Sequence, residues 1–219
     1  MENTVQIENS WKWSSHQPLI HLMMSVFHPS FVLELGMGIN STPIFLSYKP
    51  EKYVGVENDS NWLDYLKGLY DFKDHSILLH DLGPDVGIAT QYKDIKTTEE
   101  IKAYYAELSK LVTGSPRLLF VDQFTGARCI SIMELGRGFD IIIYHDCEPK
   151  GLPVYNYYFP DEFTSLFNSY VLKNGTVWTG CFLKKGLTFN KDLIQPFIDD
   201  YYKKNELKPW RHFILLEDG

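Results

Sequence analysis

The sequence predicts an α/β protein built on a single doubly wound, mostly parallel seven-stranded sheet with helices on both faces. Three observations carry that prediction. Short, near-continuous apolar runs such as FVLEL at 31–35 and DIIIY at 140–144 have the make-up of strands buried on both faces. Segments with apolar residues at helical spacing separate them. The chain of 219 residues is long enough for one such domain, which should bury roughly 70% of the surface its unfolded form exposes.

Residues 1–30 read as an N-terminal helical segment packing on the domain, and 31–219 as the Rossmann-like domain itself. The first ten residues are polar and should be loosely held. Residues 19–27 are apolar but carry His21 and follow Glu2 and Glu8, so they predict a helix rather than a signal peptide. FVLEL at 31–35 is the first strand, and 42–48 is helical in pattern. YVGVE at 53–57 is the second strand. Residues 60–70 place Trp62, Leu63, Leu66 and Leu69 at helical spacing. SILLH at 76–80 is the third strand, and the polar stretch 81–100 is a long connection. Residues 98–112 form a helix with Ile101, Tyr105, Leu108 and Val112 on one face. RLLFVD at 117–122 is the fourth strand. A helix over 127–135 is stopped by Gly136 and Gly138. DIIIY at 140–144 is the fifth strand. Residues 161–173 predict a helix with Asp161 as its cap. Asn174-Gly175 signals a turn, and TVWTGCFL at 176–183 is the sixth strand. A helix over 191–204, capped by Asn190, leads to a last strand, RHFILL, at 211–216.

Charge and composition exclude several functions. The formal net charge of −7 repels phosphate backbones at long range, so no nucleic-acid partner is expected. No apolar run reaches the ~20 residues that cross a bilayer, so no membrane association is expected. Cys129, Cys147 and Cys181 make neither a disulfide framework nor a zinc pattern. Together these point to a cytoplasmic protein.

In open α/β sheets ligands bind beyond the carboxyl ends of the strands, so the residues after each strand are the candidates. After the first comes Glu34-Leu35-Gly36-Met37-Gly38-Ile39-Asn40-Ser41, a glycine turn entering a helix whose first N–H groups are free for an anion. Ser41 replaces the third glycine of a dinucleotide fingerprint. Glu57 ends the second strand 19 positions after Gly38, the spacing of an acid that binds ribose hydroxyls. Each feature also reads as an ordinary turn or a solvated carboxylate. Asp81 after the third strand is either a loop cap or a ligand. Asp122 opens from the fourth strand, as a helix cap or as a functional acid. His145 and Asp146 leave the fifth strand. They can serve as general base and orienting acid, or as a core histidine and a turn residue. Val154 to Phe159 reads as aromatic packing or as a lid, and Arg128 as a partner for an acidic ligand or a surface residue. Trp11, Trp13, His16 and His21 close the cleft or merely pack on the sheet.

ELGMGINS, VGVEND, FVD and YHD, taken in order, resemble the motifs of S-adenosylmethionine-dependent class I methyltransferases. The usual strand order there is 3-2-1-4-5-7-6, with the last strand antiparallel. The segment FVDQFTGARCISIMELGRGFDIIIYHD resembles a subgroup whose fourth strand ends V-D-G, with a following Arg and a later His-Asp. Some plant polysaccharide O-methyltransferases are worded similarly. Gln123 stands here in place of the glycine.

The resemblance implies S-adenosylmethionine as cofactor, with Gly36 and Gly38, in a loop completed by Asn40 and Ser41, against its methionine part. It implies Glu34 at the ammonium, Glu57 at the ribose, Asp81 at the adenine amine and Asp122 at the methionine moiety. Catalysis would then fall to His145, Asp146 and Asp122, and the reaction to O-methylation of a small molecule or glycan. A divalent metal on Asp122 and Asp146, as in catechol-type enzymes, is possible but has Cys147 where the usual Asn follows, so no metal ligands are assigned. The alternatives are an NAD(P)-dependent oxidoreductase and a non-catalytic methyltransferase-like binding protein.

Overall fold

The computed structural model describes residues 15–80, 98–123, 125–148, 157–174, 177–190, 192, 194–204 and 214–218. Its strands are β1 (Phe31–Leu35), β2 (Lys52–Glu57), β3 (Ser76–Leu79), β4 (Arg117–Val121), β5 (Ile141–His145), β6 (Phe167–Asn174), β7 (Val177–Lys184) and β8 (Ile214–Asp218). Its helices are α1 (Gln17–Phe27), α2 (Thr42–Ser47), α3 (Ser60–Leu69), α4 (Thr98–Ser109), α5 (Arg128–Leu135), α6 (Asp161–Thr164) and α7 (Ile194–Lys204).

One sheet holds all eight strands in the order β3-β2-β1-β4-β5-β7-β6-β8. The first seven positions reproduce the class I methyltransferase order, and β8 extends the sheet by one antiparallel strand. β1 to β5 run parallel, and β7 runs antiparallel to both β5 and β6.

Alternation of side chains along buried strands splits the core into two layers. Val32, Leu118, Phe120, Ile141 and Ile143 face the layer of α1, α2 and α3, with Leu19, Met23, Phe45, Leu63 and Leu66. Leu33, Leu119, Val121, Ile142 and Tyr144 face the layer of α4 and α5, with Ile101, Tyr105, Ile132 and Leu135. Asp59 caps α3 by accepting from the Asn61 and Trp62 amides. Leu69, expected on the buried face of that helix, is exposed at its last turn.

The C-terminal third departs from expectation. The helix expected over 161–173 is only the four-residue α6, whose cap is Pro160 rather than Asp161. Residues 167–174 form β6 instead and pair with β7, Asn174 opposite Val177. The hairpin wins because Tyr170, Val171 and Leu172 are buried in a strand between β7 and β8. Tertiary pairing overrides a weak local helix preference there. Asn190 does turn the chain ahead of α7, its side chain accepting from the Asp192 amide. Among the described residues no helix is long and apolar enough to cross a membrane.

Candidate functional site

A cavity of about 410 Å³ lies at the carboxyl ends of β1, β2 and β4, lined by Gly36, Met37, Gly38, Glu57, Asn58, Asp59, Trp62, Asp122, Gln123 and Arg128. Its glycine turn is held from within. Gly36 N–H donates to the Val56 carbonyl, Met37 N–H to Glu57 Oε2 and Gly38 N–H to Thr42 Oγ1. Trp62 Nε1 donates to the Met37 carbonyl at 2.8 Å and braces the turn from α3. These amides are therefore spent on the protein.

Gly36 is required for a reason the sequence did not suggest. Its φ is +85°, and a Cβ there would lie 2.5 Å from the backbone of Asp122 and Gln123. What approaches it is the end of β4. Gly38 has looser surroundings, a Cβ there meeting only Ser41 Oγ at 3.3 Å and the Asn40 nitrogen at 3.9 Å.

Glu34 does not line the cavity. It is fully buried in β1 and accepts from Ser41 Oγ at 2.5 Å, Thr42 Oγ1 at 2.9 Å and the Tyr53 hydroxyl. Burial pushes its pKa up to about 8, against the pull of those three hydroxyls. Ser41 is thereby committed to Glu34 as well. Asn40 turns to α1, where its carbonyl accepts from Gln17 Nε2 at 3.0 Å. Asp81 lies outside the described residues. Glu57 does reach the cavity, accepting from the Met37, Asn58 and Asp59 amides. Burial raises its pKa, while those amide donors favour the charged form.

Asp122, His145 and Asp146 come together at the ends of β4 and β5. His145 ends β5 with Nδ1 3.3 Å from Asp122 Oδ1 and 3.5 Å from Asp146 Oδ1. Its Nε2 lies 2.6 Å from Ser15 Oγ. A proton on Nδ1 serves both carboxylates and leaves the Nε2 lone pair to a hydroxyl. Burial opposes a charged imidazole, but Asp122 and Asp146 outweigh it, and the His145 pKa stands above the usual histidine value. Asp146 has φ of +57°, an uncommon conformation that aims its carboxylate back at His145 and Arg128.

Arg128 binds the group together. Its guanidinium meets Asp122 at 2.9 Å and Asp146 at 2.8 Å, and its Nε donates to the Gln123 carbonyl at 2.7 Å. Burial opposes the Asp122 charge, yet His145 and Arg128 hold its pKa well below the ordinary carboxylate range. Arg128 is buried, not on the surface. The signal was in the spacing: residues 128, 131, 132 and 135 are buried along one face of α5. Gln123, at the family's glycine position, donates to the Tyr105 hydroxyl at 2.8 Å and ties α4 to this loop. Trp62 and Ser15 were not singled out as site residues, because only the folded chain brings them here.

Of the suggested aromatic lid, 154–156 lie outside the described residues. Tyr157 and Phe159 pack on Tyr144, with the Tyr157 hydroxyl donating to the His145 carbonyl at 2.8 Å. Trp11 and Trp13 also lie outside the described residues, and His21 meets the Tyr48 hydroxyl at 3.1 Å.

No protein-family model matches the chain, and no curated protein matches its sequence. Solved structures do match. A methyltransferase-like protein from Silicibacter pomeroyi is 12% identical, with 90% of this chain and 95% of that one covered and a TM-score of 0.50. A putative tRNA (m1A22) methyltransferase from Streptococcus pneumoniae, solved with S-adenosyl-L-methionine, is 11% identical, with 88% of each chain covered and a TM-score of 0.42. The N-methyltransferase NodS from Bradyrhizobium japonicum, solved with S-adenosyl-l-homocysteine, is 10% identical, with 82% and 90% covered and a TM-score of 0.45. The first of these shares the fold.

Proposed function

We propose that this methyltransferase-like fold is a working S-adenosylmethionine-dependent methyltransferase acting on a hydroxyl of a small molecule or glycan. The observation that carries the reading is the acid-lined cavity. Glu57, Asp59 and Asp122 face it, and the Arg128 guanidinium there is already paired with Asp122 and Asp146. The turn amides at 36, 37 and 38 are spent internally, so they offer no cradle for a pyrophosphate. Such a site favours a nucleoside carrying positive charge over a nicotinamide dinucleotide. The net charge of −7 extends the same argument against a nucleic-acid acceptor.

The cofactor supplies an activated methyl group on a sulfonium, which carries its own leaving group. Glu57, held by three amides, is set to receive the ribose hydroxyls. Asp122 is set to face the ammonium. His145, with its Nδ1 proton held by Asp122 and Asp146, is set to accept the acceptor's proton at Nε2. Ser15 makes the hydrogen bond there that an acceptor hydroxyl would make.

Calorimetric titration with S-adenosylmethionine, with NAD and NADP as controls, tests the reading. Glu57→Ala should weaken cofactor binding about 10–100-fold, the loss of charge-assisted hydrogen bonds worth roughly 1.5–3 kcal/mol. His145→Ala should keep cofactor binding and lose turnover on a hydroxyl acceptor. Binding of NAD alone would replace the reading with an oxidoreductase. Cofactor binding without methyl transfer across acceptor panels would leave a binding protein.

A further inference from the structure

We propose that His16, Asp122 and His145 form a binding site for a divalent first-row transition ion, zinc above all. The proposal rests on the geometry of these side chains; it shares Asp122 and His145 with the methyltransferase site, and only its consequence for catalysis rests on that reading.

Each of the three residues offers one donor atom, and these atoms all lie within 4.8 Å of one another. Donors around such an ion sit ~2.0–2.2 Å from it, so the three close on it with shifts of about 1 Å. His16 is the independent observation. It is 2% exposed, and although the Asn40 backbone lies near enough to act on it, neither ring nitrogen makes a well-formed hydrogen bond among the described residues. A buried imidazole with both nitrogens unsatisfied is costly and calls for a partner. Its ring lies perpendicular to that of His145, with centroids 4.8 Å apart, and one of its nitrogens is among the clustered donor atoms.

Charge fits a cation that takes the place of the His145 proton. Asp122 and Asp146 bring two negative charges against the single guanidinium of Arg128. Arg128 and His145 both contact Oδ1 of Asp122. Two imidazoles and one carboxylate suit zinc, iron or cobalt, whereas magnesium and calcium prefer oxygen alone.

The ion also has a consequence for His145. Ligation through Nε2 occupies the lone pair, and ligation through Nδ1 moves the ring proton to Nε2. Either way the metal-loaded imidazole cannot accept a proton. Ion binding and base action at His145 are therefore exclusive, and the ion should inhibit proton transfer.

The full chain, stripped with a chelator, is titrated with Zn²⁺ against a chromophoric competitor and with Co²⁺ by visible absorbance. One equivalent should bind, with Co²⁺ giving a ligand-field spectrum of mixed nitrogen and oxygen donors. His16→Phe, which keeps an aromatic ring against Phe120, and His16→Ala should each weaken Zn²⁺ binding about 100-fold or more, since even outer-shell changes cost about 10–100-fold. Circular dichroism and thermal unfolding of the same variants establish that they fold. Stoichiometric Zn²⁺ binding unchanged in a folded His16 variant, a sulfur-to-cobalt charge-transfer band, or no binding at all would overturn the proposal. So would binding of Mg²⁺ in preference to Zn²⁺.

Discussion

Replacing Glu34 by glutamine should remove a pH dependence built into the core. In the native protein burial lifts the Glu34 pKa from 4.5 to about 8. Between those values the folded chain holds a proton that the unfolded chain has released. Stability must then fall as pH rises through that window and level off above it. At ~1.4 kcal/mol for each pH unit, the gap between 4.5 and about 8 sums to roughly 5 kcal/mol. Glutamine cannot ionise, so the variant lacks this slope. Urea denaturation of both proteins from pH 5 to pH 9, with free energies taken from midpoints at matched slopes, measures the difference directly. Glu57 is shifted the same way but titrates in both proteins and cancels. Because the unfolded chain is already mostly ionised at pH 5, the stability difference should move by about 4 kcal/mol of that total in favour of Glu34→Gln between the two ends. A difference that stays flat would mean that Glu34 is ionised in the fold, and that Ser41, Thr42 and Tyr53 outweigh burial.

Arg128→Met should cost about 3–5 kcal/mol of unfolding free energy, because Asp122 and Asp146 lose the guanidinium they share; a loss under 1 kcal/mol in chemical denaturation would show that the two carboxylates do not need it. Gly36→Ala should abolish S-adenosylmethionine binding and lower the melting temperature, since its Cβ meets the β4 backbone at 2.5 Å, whereas Gly138→Ala, with no atom within 4 Å, should match the parent protein in both assays. Native thiol titration should label Cys147 first, because burial raises the pKa of Cys129 and pushes that of Cys181 up to about 12; equal rates at all three would contradict the core packing.

The parallel half of the sheet was legible because its strands are buried on both faces and so are written as continuous apolar runs. Phe31–Leu35 and Ile141–His145 have no solvent-facing positions to interrupt them. The β6 strand was not legible, because Phe167–Asn174 mixes polar residues with Tyr170, Val171 and Leu172 and shows neither period cleanly. Its structure is fixed by β7 on one side and β8 on the other, which no local window contains. Site positions follow the same division. Glu57 and Asp122 could be placed at the cavity because strand ends are readable. That Glu34 faces Tyr53, and that Ser15 meets His145 across 130 positions, depends on how α1 and the sheet pack.

The ends of β1 and β4 are fastened backbone to backbone. Asp122 N–H donates to the Leu35 carbonyl at 2.8 Å, and Gly36 leaves no room for a side chain between them. On the proposed function, a lineage that needs a new acceptor therefore has little freedom at Asp122, since moving it drags the glycine turn along. The adaptable parts are those that reach His145 from elsewhere, above all Ser15 and His16 ahead of α1. Diversification of this scaffold should accumulate at that approach to the site, while the two strand ends drift together or not at all.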